Sequence, residues 1–221
     1  LKGSRYRGGK YQYPLYRLPP EIRSGQLWHS RREMEEKDLM AGRGLEIAYI
    51  DNPVDVFFLQ VQGSGRVALE EGGSLRVGYA GKNGHEYRSI GQELVRRGIY
   101  KSHQVSAQVI RRWVSRNPEA GQELLRHNGS YVFFREVSEV PADKGPLGAM
   151  NRSITPLRSI AVDPKFTPLG APVWIEKAGK SPMKRLMIAQ DTGSAIKGAQ
   201  RADIYYGTGD TAGRIAGQIK D

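Results

Sequence analysis

The stretch Gln190-Asp191-Thr192-Gly193-Ser194-Ala195-Ile196-Lys197-Gly198, followed closely by Arg201-Ala202-Asp203-Ile204-Tyr205-Tyr206-Gly207, concentrates the chemistry of this chain. Asp191 closes the apolar run 186–190 and Asp203 enters the run 202–206, so each carboxylate is expected at the end of a β-strand. Small residues and glycines flank both. They let a ligand approach the backbone, and a carboxyl so placed suits a general acid. For Asp191 an equally good expectation is a turn cap, with the carboxylate accepting from the amides of Gly193 and Ser194. The spacing also carries a tension. If Arg201 and Asp203 share one extended strand, alternation puts both side chains on the same face, a cation beside a carboxyl that must carry a proton.

Outward from this stretch, runs rich in Val, Ile, Tyr and Phe, bounded by Gly, Pro, Asn or Asp, predict strands at 11–17, 45–50, 56–62, 74–80, 131–134, 159–162, 172–176, 186–190 and 202–206. The protein is therefore expected to be mainly β. Helices are predicted in the middle. Ser89 and Gln92 have capping-box spacing, with Leu94 and Val95 following and Gly98 as the stop. The segment 106–116 sets Val109, Ile110, Trp113 and Val114 on one face. Asn117-Pro118 opens a further helix that ends near Asn128-Gly129. Residues 136–146 turn polar around Pro141 and Gly145, the composition of a crossover between domains.

Composition narrows the chemistry. The net charge of +11 asks for an anionic partner, but Lys and Arg are scattered from Lys2 to Lys220 and no nucleic-acid-binding motif accompanies them, so no nucleic acid is expected. With no cysteine and four histidines (His29, His85, His103, His127) in no ligand spacing, neither a metal nor another cofactor is expected. The longest apolar runs, 54–59 and 131–134, are too short to span a bilayer. Residues 1–10 are basic and glycine-rich, unlike a signal peptide, and read as the start of a trimmed fragment. The tetrapeptide Asp191-Thr192-Gly193-Ser194 is that of pepsin-like aspartic proteases, whose chemistry needs two aspartates sharing a proton. This chain has one copy, with polar Gln190 where an apolar residue normally stands, and it is about twice the length of a one-copy retropepsin-like subunit.

Residues 157–207 resemble the three-aspartate domain of the membrane-bound lytic transglycosylase A family, the aspartates falling at Asp163, Asp191 and Asp203. Upstream, Val61-Gln62-Gly63-Ser64-Gly65, Tyr79-Ala80-Gly81-Lys82-Asn83-Gly84-His85-Glu86-Tyr87-Arg88-Ser89-Ile90-Gly91 and Asn128-Gly129-Ser130-Tyr131-Val132-Phe133-Phe134 agree in the same order, so the resemblance covers nearly the whole chain. Ser194 stands where the family has glycine. The resemblance implies a double-psi β-barrel made from residues 1–20 and 136–221, with residues 21–135 inserted as a second β-rich domain carrying a few helices. Substrate would lie in a groove between them. It implies cleavage of peptidoglycan glycan strands with Asp203 as the acid/base and Asp191 as its support. Gln62, Ser64, Gly65, Lys82, Asn83 and Lys197 are the implied substrate contacts, although ordinary hairpin turns would equally explain the glycines in 62–65 and 81–84. It further implies a monomer in the periplasm, held at the outer membrane by a lipidated N-terminal segment outside this chain. A barrel that binds glycan without cleaving it is the alternative.

Overall fold

The computed structural model describes residues 1–141, 143–178 and 182–217. The chain forms two compact units, Leu1–Val137 and Ser138–Asp221.

The first unit is built on a six-stranded sheet of β1 (Lys2–Ser4), β2 (Tyr13–Tyr16), β3 (Glu46–Ile50), β4 (Ser64–Leu69), β5 (Ser74–Lys82) and β6 (Val132–Glu136), in the order β2-β3-β1-β4-β5-β6. All neighbours are antiparallel except β1 and β4. Alternation along β3 and β5 turns Ile50, Leu75 and Val77 inward with Leu15, Val67 and Phe134. Here the barrel assignment of residues 1–20 is corrected. The backbone of β1 pairs with both β3 and β4, so the N-terminal strands belong to this sheet.

Five α-helices accompany the sheet, of which α2 packs on it directly: α1 (Arg31–Glu36), α2 (Pro53–Gln62), α3 (Ile90–Arg96), α4 (Ala107–Arg116) and α5 (Pro118–Arg126). The strand expected at 56–62 is instead the body of α2. Asn52 caps it, accepting from the Val54 amide; Pro53 fills the first turn, and Gly63 closes it in the left-handed region at φ 77°. The helix is apolar on two sides. Val56 and Leu59 pack on the sheet, while Val54 and Phe57 enter a second core with Ile90, Leu94, Ile110, Val114 and Leu124. A helix buried on both sides has no polar stripe, so its run of Val and Phe mimics a buried strand. Helices α3, α4 and α5 begin where the sequence predicts: Ser89 accepts from the Gln92 amide, Ser106 accepts from the Val109 amide, and Pro118 fills the first turn of α5 although the Asn117 side chain makes no cap bond.

A buried arginine stitches this unit together. Arg31, 4% exposed, lies between the rings of Tyr131 (4.7 Å) and Phe57 (5.1 Å). It donates to the carbonyls of Asn128 (3.2 Å) and Ser130 (3.0 Å) and to Gln60 Oε1. One guanidinium thus links α1, α2 and the approach to β6, and its burial is offset by three hydrogen bonds from Nε and Nη2, with Glu35 4.0 Å from Nη1.

The second unit carries β7 (Ser159–Val162), β8 (Pro172–Lys177), β9 (Met183–Asp191) and β10 (Ala202–Ile204), followed by α6 (Asp210–Gly217). The strands form one sheet in the order β10-β7-β9-β8, parallel between β7 and β9 and antiparallel elsewhere. Ile160, Val162, Met187 and Ala189 make its core. The fold class is as expected, β-sheets with a few helices, and the later strands fall where the sequence predicts them.

Candidate active site

The sheet of the second unit levels the two aspartates. Across β10 and β7, Asp203 is paired with Ala161. Across β7 and β9, Asp191 is paired with the same Ala161, because a register shift between Ile160 and Ala161 lets β9 skip Gln190. Ala161 therefore stands between the two carboxylates. With strands about 4.8 Å apart, their Cα atoms are separated by roughly 10 Å across a methyl side chain.

The two carboxyls live in different surroundings. Asp203 has 46% of its side chain exposed and is gripped by Arg201, Nε to Oδ1 at 2.6 Å and Nη2 to Oδ2 at 3.3 Å. The tension expected from the spacing is thus realised as an ion pair, and the pair raises the Arg201 pKa. Asp191 is half-buried, and burial pushes its carboxyl up against the opposing pull of the Thr192 and Ala149 amides. Its Oδ1 accepts from the Ala149 N–H at 3.0 Å, so the partners are not the Gly193 and Ser194 amides of the simple turn cap. Gly148 makes that contact possible: a Cβ there would lie 2.5 Å from the Gln190 carbonyl oxygen.

Asp163, just beyond β7, is only 3% exposed. Its Oδ2 accepts from the Gly198 amide (3.0 Å) and its Oδ1 from the Lys165 amide (3.2 Å), which together hold the carboxyl below the usual range. Gly198 has φ +105°, and the following turn, Arg201 N to Gly198 O at 3.4 Å, leads into β10. Asp163 thereby pins the loop that delivers Arg201 and Asp203. Lys197 is exposed on the same loop.

The other expected contacts lie in the first unit. Gln62 is exposed at the end of α2, and Ser64 and Gly65 open β4 opposite Gly78 and Val77. Because β5 runs on to Lys82, these residues share one end of the sheet. Asn83 is corrected. It is fully buried, its Nδ2 donates to His29 O (2.9 Å) and Gly129 O (2.8 Å), and its Oδ1 accepts from the Tyr131 amide (2.8 Å), which leaves a sugar nothing to bind. Among the described residues no three His, Asp or Glu side chains gather as a metal site.

The comparisons follow this division. The MltA-specific insert domain matches residues 1–135 and the 3D domain matches residues 158–221. The chain belongs to the MltA family. Membrane-bound lytic murein transglycosylase A of Escherichia coli is 40% identical over 96% of this chain, which spans 58% of that relative's length. Among solved structures, a membrane-bound lytic murein transglycosylase from Agrobacterium tumefaciens is 35% identical, with a TM-score of 0.85 over 98% of this chain and 67% of that one. MltA of Escherichia coli with bound chitohexaose is 38% identical, with a TM-score of 0.81 over 97% of this chain and 64% of that one.

In this MltA-family chain, sequence reasoning singled out both levelled aspartates but gave no role to Asp163 and none to Ala161. A buried carboxylate that serves two amides leaves no periodic signal. Gly198, in a conformation that favours glycine, is the one local sign that the loop is tightly held.

Proposed function

We propose that this chain cleaves the bond between N-acetylmuramic acid and N-acetylglucosamine in peptidoglycan as a lytic transglycosylase, with Asp203 as the single acid/base. The supporting observation is the levelling of Asp191 and Asp203 on either side of Ala161 in a chain of the MltA family. The carboxyl of Asp203 gives its proton to the bridging oxygen as the bond from the muramoyl anomeric carbon breaks. Oxocarbenium character develops on that ring. The carboxylate left behind takes the proton of the ring's own six-hydroxyl, whose oxygen closes on the anomeric carbon. That attack is intramolecular and needs no water, so a second carboxylate as nucleophile or water-activating base is not required. Both oxygens of Asp203 are held by Arg201, so this mechanism requires bound glycan to draw the guanidinium aside.

Asp191, as the supporting neighbour, fixes the end of β9 through Ala149. One observation favours it as the donor instead, since burial raises the Asp191 carboxyl whereas Asp203 is exposed and ion-paired. The Asp203→Asn and Asp191→Asn variants separate the two assignments.

The sheet of the second unit is read as part of a double-psi barrel, and Gln62, Ser64, Gly65, Lys82 and Lys197 as glycan contacts. The working place would be the periplasm, with the protein held at the outer membrane by a lipidated N-terminal segment and acting as a monomer. The test is mass analysis of the products released from purified sacculi. Ends in 1,6-anhydromuramic acid, resistant to borohydride, are expected. Stoichiometrically reducible ends would identify a hydrolase and overturn the mechanism.

A further inference from the structure

Helix α4 turns Ile110 and Val114 into the core it shares with α2, α3 and α5. Its opposite stripe carries Gln108, Arg111, Arg112 and Ser115, spaced as neighbours on one helix face. Together with Asn52 at the start of α2, these residues line an open cavity of about 420 Å³. Arg111 is anchored there by an ion pair with Asp55 in the first turn of α2. Among the described residues, the side chains of Gln108, Arg112 and Ser115 have no hydrogen bond or ion pair. Two guanidiniums facing one carboxylate leave the cavity positive, in a chain whose net charge is already +11. The ligand it suits is an anion.

The planar fork of Arg112 can grip a carboxylate at two points, while the carboxamide of Gln108 and the Nδ2 of Asn52, whose Oδ1 caps α2, match peptide amides. We infer that this cavity binds a free carboxylate on a peptide stem of the peptidoglycan strand. It uses none of the residues proposed to act on the glycan, and it rests on the proposed function only for the identity of the polymer. A first unit with such a site holds the strand by its peptides while the aspartates act on its sugars.

The test is titration of the chain with a soluble disaccharide-tripeptide carrying free carboxylates, followed by calorimetry and amide NMR. The same compound with its carboxylates amidated, and phosphatidylglycerol vesicles, serve as comparisons. Saturable binding of the free acid is expected, with shifts at Gln108–Ser115. Arg112→Gln should weaken it roughly ten-fold, as loss of a charge-assisted contact does, with an unchanged melting temperature. Equal binding by Arg112→Gln or equal binding of the amidated compound would overturn the site. Vesicle binding without peptide binding would do the same and assign the cavity to a lipid surface. Because the readout is binding, Arg112-dependent capture in a chain that releases no anhydro ends would fault the catalytic proposal and leave this one standing.

Discussion

Arg201 and Asp203, two residues apart, are joined at two points, with Nε 2.6 Å from Oδ1 and Nη2 3.3 Å from Oδ2. Both oxygens of the proposed acid are engaged in this state, so the proposed mechanism includes a step that parts them. Asp203→Asn keeps the shape and removes the proton. It should fold, bind glycan and lose about 10³–10⁴-fold in turnover, because one group serves both half-reactions. Sacculus solubilisation with thermal melting as the folding control measures this. Asp191→Asn should lose less. A folded but dead Asp191→Asn beside a near-normal Asp203→Asn would transfer the role to Asp191.

Asp191 also makes a prediction about stability. Burial raises its carboxyl above the unfolded value of about 3.9. Above the raised value the folded state must hold an anion it disfavours, and the cost falls away between that value and the unfolded one, below which both states are protonated. Asp191→Asn, whose Oδ1 still accepts from Ala149, should therefore melt higher than the parent at pH 7. The gap should begin to shrink as the pH falls through the raised value and close below the unfolded one. A variant that melts lower at pH 7 would show that the charge is not a cost.

Asp163 runs the opposite way. The Gly198 and Lys165 amides lower its folded pKa, so its contribution to stability is fully present above the unfolded value of about 3.9 and is lost as the pH falls through the lowered one. Asp163→Ala should free the Gly198 amide, seen as faster hydrogen exchange there at neutral pH. Turnover should fall by up to about 10²-fold through misplacement of β10. Unchanged exchange at Gly198 would remove Asp163 from its positioning role.

Asn83→Ala leaves the Tyr131 amide and the His29 and Gly129 carbonyls without their buried partner. A loss of about 2–4 kcal/mol is expected in denaturant unfolding, with glycan affinity unaltered in the protein that remains folded. Weakened glycan binding at full stability would restore Asn83 to the binding surface.

Much of this was legible in the sequence wherever a local signal matched a local structure. Ser89 with Gln92, the apolar face of 106–116 and Pro118 announce α3, α4 and α5 because caps, helical periodicity and first-turn prolines act within a few residues. The second unit's strands announce themselves by apolar runs between turns. The misreadings have a common cause in long-range packing. The run 56–62 became a helix because two cores bury it from opposite sides, and the Asn52-Pro53 start signal outweighs its strand-like composition. Asn83 reads as a polar loop residue because nothing local reveals that Trp28, His29, Gly129 and Tyr131 will close over it. The level of Asp191 with Asp203 depends on a one-residue shift beside Gln190, which no period-two pattern encodes.

The place of β1 sets an order of assembly. Lys2–Ser4 lies between β3 and β4, paired with Ile50 on one side and with Leu69 on the other, and it is what joins β2-β3 to β4-β5-β6. During synthesis Lys2–Ser4 must therefore wait for β3 before it can pair on one side and for β4 before it can pair on the other. The sheet is completed through β1, and a block tied tightly to Lys2–Ser4 would divide the first unit down its middle before the second unit had been translated.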